Sequence, residues 1–456
     1  MKNGTISLEQ IIDLLEQKKY SELHALISYA EPQDIAEFFE NLTKEQYPVL
    51  FRILSKEMAT EVFVELGADQ QQYLIELFSD VELKEVLDDL FIDDTVDIIE
   101  EMPATVVKRI LANSTPASRK SINELLKYPD DSAGSIMTTE YVCLKKQMTV
   151  DQAFTFIRKV AIKKETIYTC YVTDENRKLI GLIMVATLLI SDREAKIEEI
   201  MDDHVISVTT LEDKESVTQI IGKYDFLALP VVDAENRLVG IITVDDAIDV
   251  IHDEAEEDFA KMAAMIPAER PYLKTSAINI WKMRIPWLML LMISATFTGM
   301  IISSFEKALS AQLVLTAYIP MLMGTGGNSG SQSSVTVIRG ISLGEIEFRD
   351  IPKVLWKEFR VAILCGISLA IVSFIRIMII DKLLLGVNIS FMIALVICLT
   401  LCVTIFCAKL MGSLLPLVAK KIGFDPAVMA SPFISTIVDT VTLLVYMELA
   451  TVLLHI

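Results

Sequence analysis

The sequence lacks the patterns that mark secreted, zinc-binding or hydrolytic proteins. Its N-terminus, MKNGTISLEQIIDLLEQKKY, interleaves charges with short apolar pairs and has no apolar signal-peptide core. The six cysteines show no CxxC spacing and the four histidines are scattered, so neither a disulfide framework nor a zinc site is predicted. H-E-x-x-H and P-loop patterns are absent. We therefore expect a cytoplasmic N-terminal part and no enzymatic activity.

Positive charge is scarce in the first part of the chain. Residues 1–272 contain 27 Lys and Arg against 53 Asp and Glu, a net charge of −26, whereas residues 273–456 contain 14 against 9, a net charge of +5. Such acidity disfavours nucleic acid, whose phosphates need basic residues, and favours multivalent cations as partners. The whole chain is 52% hydrophobic, which is high for a soluble protein, although its first part is strongly charged. The sequence therefore predicts an acidic soluble part followed by a membrane part.

Short amphipathic helices dominate the region from about residue 8 to residue 126. Segments such as DIAEFFENL and ELKEVLDDL place apolar residues at three- and four-residue spacing, and strand signals are absent. We predict an all-α acidic domain over residues 1–130, a small superhelix of stacked helix pairs. Asp93, Asp94 and Asp97 place three carboxylates within about a helical turn. They either cap a helix on a solvated surface or share a cation.

Residues 137–259 contain an internal repeat. The segment YVTDENRKLIGLI, from Tyr171, returns 59 residues later as PVVDAENRLVGII, from Pro230. Each copy predicts a strand, an Asp/Asn turn, a second strand and a helix. Together with the entry phrases SIMTTEYVCL and EIMDDHVISV, the repeat resembles a tandem pair of CBS domains, over residues 131–199 and 200–252. The resemblance implies an α+β regulatory module, often dimeric, that binds adenosine nucleotides such as ATP or other small ligands.

A dense run of acids follows the second copy. Acids at positions 245, 246, 249, 253, 254, 256, 257 and 258 recur at three- and four-residue spacing, so like charges stack along a helix and destabilise it. A bound cation would remove that penalty, whereas the alternative is a solvated acidic linker. We expect an acidic connecting helix over residues 253–280.

Five apolar segments then predict an α-helical membrane domain over residues 281–456. They cover residues 285–305, 313–338, 361–380, 389–415 and 433–454. With the N-terminus in the cytoplasm, the inner loops hold Lys282, Arg284, residues 339–360 with their basic ends, Lys420 and Lys421, as the positive-inside rule requires. Five spans place the C-terminus outside the cell.

Two of these apolar segments contain polar residues in their middle. The second reads YIPMLMGTGGNSGSQSSVTVIR, whose glycines allow either close helix packing or an interrupted helix beside polar side chains. The fifth contains Asp439, which shares a helical stripe with Ser435, Thr436 and Thr442. An ionised aspartate in the bilayer costs ~2.5–3.5 kcal/mol, so it marks either an ion path or a paired helix-packing carboxyl.

The chain has the order of helical domain, CBS pair, acidic helix and five spans, and it contains the segments RIPWL, PMLMGTGGNSGSQ and DPAVMASPFISTIVD. In this order and in these segments it resembles the MgtE family of magnesium channels over nearly its whole length. The resemblance implies a homodimer, a pore Mg2+ site at the position of Asp439 and a cytosolic Mg2+ sensor that closes the pore. Candidate pore-lining residues are Asn328, Ser331, Gln332, Ser435 and Thr436, although some relatives have Asn where this chain has Ser331.

The same resemblance assigns regulatory Mg2+ ligands to acids outside the pore: Glu61, Asp93, Asp97, Asp213, Glu215, Asp225, Asp246, Asp249, Glu254, Glu257, Asp258 and Asp425. Three alternatives remain open from the residues alone. A cation-coupled transporter would use the same Asp439. A membrane hydrolase would need a motif such as H-E-x-x-H, which the chain lacks. A non-transporting Mg2+ or nucleotide sensor would leave the polar second span unexplained.

Overall fold

The chain forms two compact units, Met1–Val250 and Ile251–Ile456. A computed structural model describes residues 7–267, 272–273, 275–387, 389–429 and 431–455.

Ten helices open the first unit: α1 Leu8–Glu16, α2 Tyr20–Ile27, α3 Pro32–Phe39, α4 Tyr47–Phe51, α5 Lys56–Glu65, α6 Ala68–Leu77, α7 Asp80–Asp89, α8 Ile92–Glu101, α9 Ala104–Asn113 and α10 Pro116–Leu125. Alternate helices pack on one another, with α3 on α5, α5 on α7 and α7 on α9, and with α4 on α6, α6 on α8 and α8 on α10. This pattern confirms the predicted stack of helical repeats.

The helices from α5 to α10 repeat every 12 residues. Each is ten residues long, and each two-residue link begins with a buried residue in extended conformation, such as Leu66, Phe78 or Leu90. The residue before each helix also has an extended or polyproline-like backbone. At Ser55, Ser79 and Thr115 its side chain accepts a hydrogen bond from the first turn, which stabilises that helix end.

Two three-stranded sheets follow, one for each repeat copy. The first contains β1 Val142–Lys145, β2 Thr169–Thr173 and β3 Leu179–Met184, and the second contains β4 Val208–Thr209, β5 Ala228–Val232 and β6 Leu238–Thr243. In both, the first pair is parallel and the second antiparallel. Helices α11 Val150–Val160, α12 Val185–Ile190, α13 Ile197–Ile200 and α14 Lys214–Tyr224 surround the sheets, and α15 Val244–Met262 follows β6.

The entry phrases of the two copies are exchanged. Thr138, from the first phrase, pairs with Ile241 of β6, whereas Asp202, from the second phrase, pairs with Leu182 of β3. A side chain at Gly181 would collide with Met201, and the equivalent Gly240 faces Met137 in the same way. The two copies therefore interlock through their entry phrases.

The second unit contains the long apolar helices. They are α16 Ala277–Ser304, α18 Ile319–Ser342, α19 Ile351–Arg376 with a π-helical continuation at Ile377–Leu384, α20 Phe391–Lys421 and α21 Ser431–Leu454. A short helix, α17 Glu306–Ala311, follows α16. The connecting helix expected over 253–280 is instead the second half of α15, which ends at Met262; residues 268–271 and 274 lie outside the described part of the chain.

Among the described residues, four helical segments are long and apolar enough to cross a membrane: 277–304, 348–384, 391–421 and 426–454. The predicted count of five is therefore not confirmed. The remaining helix, α18, has 24 residues, but its glycine, serine, asparagine and glutamine side chains lower its hydropathy. It packs against both α20 and α21.

Candidate metal centre

Six carboxylates from three parts of the first unit form what we call the acid cluster. Helix α8 supplies two from its first turn and one from its second, the first CBS copy supplies two, and α15 supplies one from its first turn. The members are Asp93, Asp94, Asp97, Glu140, Glu165 and Asp246.

The first CBS copy holds the start of α8. The backbone N–H of Ile92 donates to Glu140 Oε2 at 3.0 Å, and the N–H of Glu165 donates to the carbonyl oxygen of Glu140 at 2.9 Å. The residue before α8 offers no side-chain cap, so Glu140 provides that cap from another domain. A helix N-terminus attracts negative charge, which partly compensates the acids gathered there.

Burial and mutual repulsion leave the acid cluster short of counter-charge. Burial, followed by the neighbouring acids, raises the pKa of Asp94 and Asp246 to about 6 and that of Glu165 to about 8. The pKa of Asp93 is raised well above its ordinary value for the same reasons. Asp93 Oδ1 and Glu165 Oε2 are buried, and neither has a hydrogen-bond partner among the described residues. Such carboxylates hold either protons or a cation.

We predict that the chain becomes less stable as pH rises from 5 to 8.5 when divalent cations are chelated. Since folding raises these pKa values above their ordinary values near 4, the folded chain binds more protons than the unfolded chain in this window, and the free energy of unfolding falls with pH. Thermal unfolding followed by circular dichroism measures the slope. Glu165→Gln should flatten it, because that variant removes the group titrating near 8; a wild-type slope in Glu165→Gln would contradict this assignment.

The structure brings together some of the predicted regulatory acids. Asp93, Asp97 and Asp246 meet in the acid cluster, whereas Asp249 lies exposed one turn further along α15 and Glu61 lies exposed on α5. Asp94 was already one of the three neighbouring carboxylates that were predicted to cap a helix or share a cation. Glu140 and Glu165 were not predicted, because they are isolated acids whose position depends on domain packing.

The three acids assigned around α14 lie at its two ends. Asp213 Oδ1 accepts the N–H of Ser216 at 3.2 Å and caps the N-terminus, and Glu215 lies in the first turn. Asp225 ends the helix in a left-handed conformation with φ of 54°. Eleven helical residues span ~16 Å, so one α14 does not place Asp213 and Asp225 around the same ion.

In the second unit, Lys261 at the end of α15 forms ion pairs with two of the acids that were predicted to bind regulatory Mg2+. Lys261 Nζ lies 2.6 Å from Glu257 Oε1 and 2.6 Å from Asp425 Oδ2. Asp258 Oδ2 accepts a hydrogen bond from Ser342 Oγ at 3.2 Å, and Glu254 lies one turn earlier on α15. An ammonium therefore neutralises two carboxylates that the family resemblance assigns as regulatory Mg2+ ligands.

The glycine-rich helix α18 is continuous and closely packed, so of the two alternatives, close approach is correct. A side chain at Gly412 of α20 would collide with the carbonyl oxygen of Gly330, and one at Gly326 would lie 2.6 Å from Thr404 Cγ2. A side chain at Gly327 would lie 3.2 Å from Ser435 Oγ of α21, which is a tight contact. The glycines thus let α20 and α21 approach the backbone of α18.

The candidate pore residues occupy two adjoining surfaces. Asn328 and Gln332, one turn apart on α18, are exposed in the single chain. Ser331 Oγ lies 3.4 Å from Ser435 Oγ, which joins α18 to α21. Thr436 lines a groove of 610 Å³ between α16 and α21.

Asp439 lies one turn beyond Ser435 on α21 and is partly buried. It is the eighth residue after Ser431, ~12 Å along the helix axis. The carboxylate thus stands inside the apolar segment, beside the face that α21 packs on α18.

Two further features of the membrane helices escaped the sequence analysis. Lys409 of α20 is buried against Glu358 of α19 and Ser333 of α18. Glu448 is a second carboxylate in α21 and is exposed. It is nine residues from Asp439, which places it about 180° around the helix. Both are visible in the sequence as charged residues within apolar segments, but the mean hydropathy of each segment conceals them.

An acid-rich regulatory unit followed by several apolar helices with a carboxylate among them defines a divalent cation transporter of the multi-pass membrane class. Family models match the chain in that order: MgtE intracellular N domain over residues 30–131, CBS domain over 133–192 and 197–253, and divalent cation transporter over 319–449. The match covers both the acid cluster and Asp439.

Relatives that match nearly the whole chain support the same family. The magnesium transporter MgtE of Thermus thermophilus is 33% identical over 447 residues, 97% of each chain, and that of Bacillus subtilis is 32% identical over 450 residues, 98% of this chain and 97% of the relative. The crystal structure of the cytosolic domain of the Mg2+ channel MgtE in complex with ATP aligns with a TM-score of 0.51 at 34% identity, over 54% of this chain and all of that one. The chain belongs to the MgtE family of magnesium transporters.

Proposed function

We propose that two copies of this chain form a Mg2+ channel that admits Mg2+ to the cytoplasm and closes when cytosolic Mg2+ is high. The observation that carries the proposal is Asp439, a partly buried carboxylate inside α21 beside the polar residues of α18. An ionised aspartate at such a depth is costly and therefore usually serves an ion pathway. The transport needs no chemical step from the protein.

The chemistry of Mg2+ suits a site with few carboxylates. This ion dehydrates reluctantly, holds oxygen ligands at ~2.0–2.1 Å and usually keeps several waters. Asp439 would hold the ion through its waters, and the side chains of Asn328, Ser331, Gln332, Ser435 and Thr436 would orient that hydration shell. The membrane potential drives entry with ~2.3 kcal/mol per elementary charge per 100 mV, and roughly twice that for Mg2+.

The exposed polar face of α18 supports a homodimer. Asn328 and Gln332 are uncovered in the single chain, although the helices around them are apolar. A polar helix face at membrane depth must meet protein or water, and a twofold axis along it would provide both. Two Asp439 carboxylates would then face one pathway.

The same argument supports α18 as a fifth span. It is 24 residues long, ~36 Å, which is enough to cross a bilayer. Its contacts with α20 and α21 cover those two sides, so its polar residues there do not meet lipid. Five spans with a cytoplasmic N-terminus place the C-terminus outside the cell and leave the basic residues of 339–360 and Lys420 and Lys421 on the inner side.

Regulation would use the acids of both units. In the first unit these are Glu61, Asp93, Asp97, Asp213, Glu215, Asp225, Asp246 and Asp249, and in the second Glu254, Glu257, Asp258 and Asp425. Buried, unpartnered oxygens of Asp93 and Glu165 support cation binding at the acid cluster. A Mg2+ ion that binds only the compact form stabilises it by about 2.7 kcal/mol at a hundredfold excess over Kd.

The CBS pair is proposed to bind ATP in addition. The support is the solved structure of the MgtE cytosolic domain in complex with ATP, which aligns with 54% of this chain over its whole length. Equilibrium dialysis of the purified chain with labelled ATP, in the presence and absence of Mg2+, checks this.

Ion flux into proteoliposomes tests the function. We expect Mg2+ uptake that does not saturate in the manner of a carrier and that falls as Mg2+ on the cytoplasmic side rises from micromolar to ten millimolar. Mg2+ uptake that saturates at a low rate would instead support a cation-coupled transporter. Absence of Mg2+ flux would support a sensor that does not transport the ion.

A further inference from the structure

A buried charged cluster joins three membrane helices. Lys409 Nζ of α20 donates to Ser333 Oγ of α18 at 3.2 Å, and Ser333 Oγ donates to Glu358 Oε2 of α19 at 2.7 Å. The ammonium and the carboxylate are 3.8 Å apart. Their side chains are 6% and 14% exposed, so this pair is enclosed by protein.

The cluster lies beside the proposed ion path. Ser333 follows Gln332, which belongs to the exposed polar face of α18. The same helix contacts α21 through Ser331 and Ser435, one turn from Asp439. Since a helix with its side chains is ~10–12 Å across, the Lys409 ammonium is about one helix diameter from a cation that passes along that face.

A buried lysine is a hazard at this position. At ~10 Å and an effective dielectric constant of about 20, an unpaired positive charge would repel a divalent cation strongly enough to reduce its occupancy at least ~10-fold. The Glu358 carboxylate cancels that charge locally. The Ser333 hydroxyl bridges the two groups and fixes both against α18.

We propose that Glu358 is the counter-ion that shields Lys409 from the Mg2+ path, and so acts as a positioning and electrostatic residue for conduction. The proposal rests on the proposed function, because it assumes that Mg2+ passes the polar face of α18. It assigns to α19 and α20 an electrostatic role in the pathway although neither carries a candidate pore residue.

A purely structural pair would behave differently. Removing either partner of a buried ion pair leaves an uncompensated charge, and replacing both is often neutral. On that account Glu358→Gln and Lys409→Met would damage the channel alike. Shielding predicts opposite effects: Glu358→Gln leaves a positive charge, which repels Mg2+, whereas Lys409→Met leaves a negative charge, which does not.

The experiment measures Mg2+ flux in proteoliposomes for the full chain and four variants: Glu358→Gln, Glu358→Asp, Lys409→Met and the double variant Lys409→Met with Glu358→Gln. Glu358→Gln keeps the shape and loses the charge, while Glu358→Asp keeps the charge and alters the shape. We expect Glu358→Gln to reduce flux at least ~10-fold and the other three to stay within ~3-fold of the unaltered chain. Gel filtration and thermal unfolding report the folded state of each variant.

Several outcomes would overturn the proposal. These are equal losses in Glu358→Gln and Lys409→Met, a larger loss in Glu358→Asp than in Glu358→Gln, or unaltered flux in Glu358→Gln. Aggregation of both single charge variants with recovery of the double variant would make the pair a folding element only. Absence of Mg2+ flux in the unaltered chain would instead refute the proposed function, which separates the two failures.

Discussion

Replacing Asp439 with alanine is expected to abolish Mg2+ uptake while the chain remains folded. Asp439 is the carboxylate of α21 that stands beside α18, and a unit charge about 4 Å from a cation contributes ~4 kcal/mol at an effective dielectric constant of 20. Because each 1.4 kcal/mol is tenfold in occupancy, we expect flux to fall at least ~100-fold. Proteoliposome flux with matched protein incorporation measures the loss.

Asp439→Asn tests the charge separately from the shape and should fail as well. The matched control is Glu448→Gln, which removes the other carboxylate of α21, exposed and about 180° around the helix from Asp439. That variant should conduct like the unaltered chain. Wild-type flux in Asp439→Asn, or an equal loss in Glu448→Gln, would remove Asp439 from the pore.

The features that local patterns encode were predictable from the sequence. The stacked helices of the first unit follow from apolar spacing, and the tandem repeat appears in the structure as two sheets with the same register, including an irregularity at Val172/Thr173 and again at Val231/Val232. Close packing at Gly330 was one of the two predicted alternatives for the glycine-rich segment.

Features that depend on pairing between distant residues were not predictable. The exchange of Thr138 and Asp202 between the two repeat copies needs knowledge of which strand edge each phrase meets. Glu140 and Glu165 join the acid cluster only after the first CBS copy packs on α8. Lys409 sits in a strongly apolar segment, and its partner Glu358 is 51 residues earlier, so neither indicated a pair.

Changing the acids of α15 together is expected to remove the inhibition of the channel by cytosolic Mg2+. The variant carries Asp246→Asn, Asp249→Asn, Glu254→Gln, Glu257→Gln and Asp258→Asn. These acids lie along a single helix, Val244–Met262, which runs from the first unit into the second. Without divalent ions their charges repel, and with bound Mg2+ the compact state gains stability, which we assign to the closed channel because uptake must stop in a replete cell.

Magnitudes indicate that no single acid is the switch. Moving an equilibrium from 1:99 to 99:1 needs ~5.5 kcal/mol, whereas one site typically couples by ~1–3 kcal/mol. Several ions must therefore act together. Neutralising Asp246 or Glu257 alone should raise the inhibitory Mg2+ concentration modestly, by up to about tenfold, whereas the fivefold variant should lose cooperative inhibition.

A matched control keeps the net charge equal. Changing Glu9, Glu16, Asp34, Glu37 and Glu45 to their amides removes the same five charges from exposed positions in the first unit. If inhibition depended on net charge alone, this control would lose inhibition as the α15 variant does. We expect it to retain the inhibition of the unaltered chain.

Single-channel recording, with cytosolic Mg2+ stepped from micromolar to ten millimolar, distinguishes the outcomes for the α15 variant. Loss of inhibition with the open conductance retained supports the assignment. A channel that stays shut and ignores Mg2+ also fits, because neutral side chains remove the repulsion that favours the open state as well as the ion sites. Inhibition that matches the unaltered chain would show that the sensor lies elsewhere, because α15 would then neither bind the inhibitory ions nor respond to them.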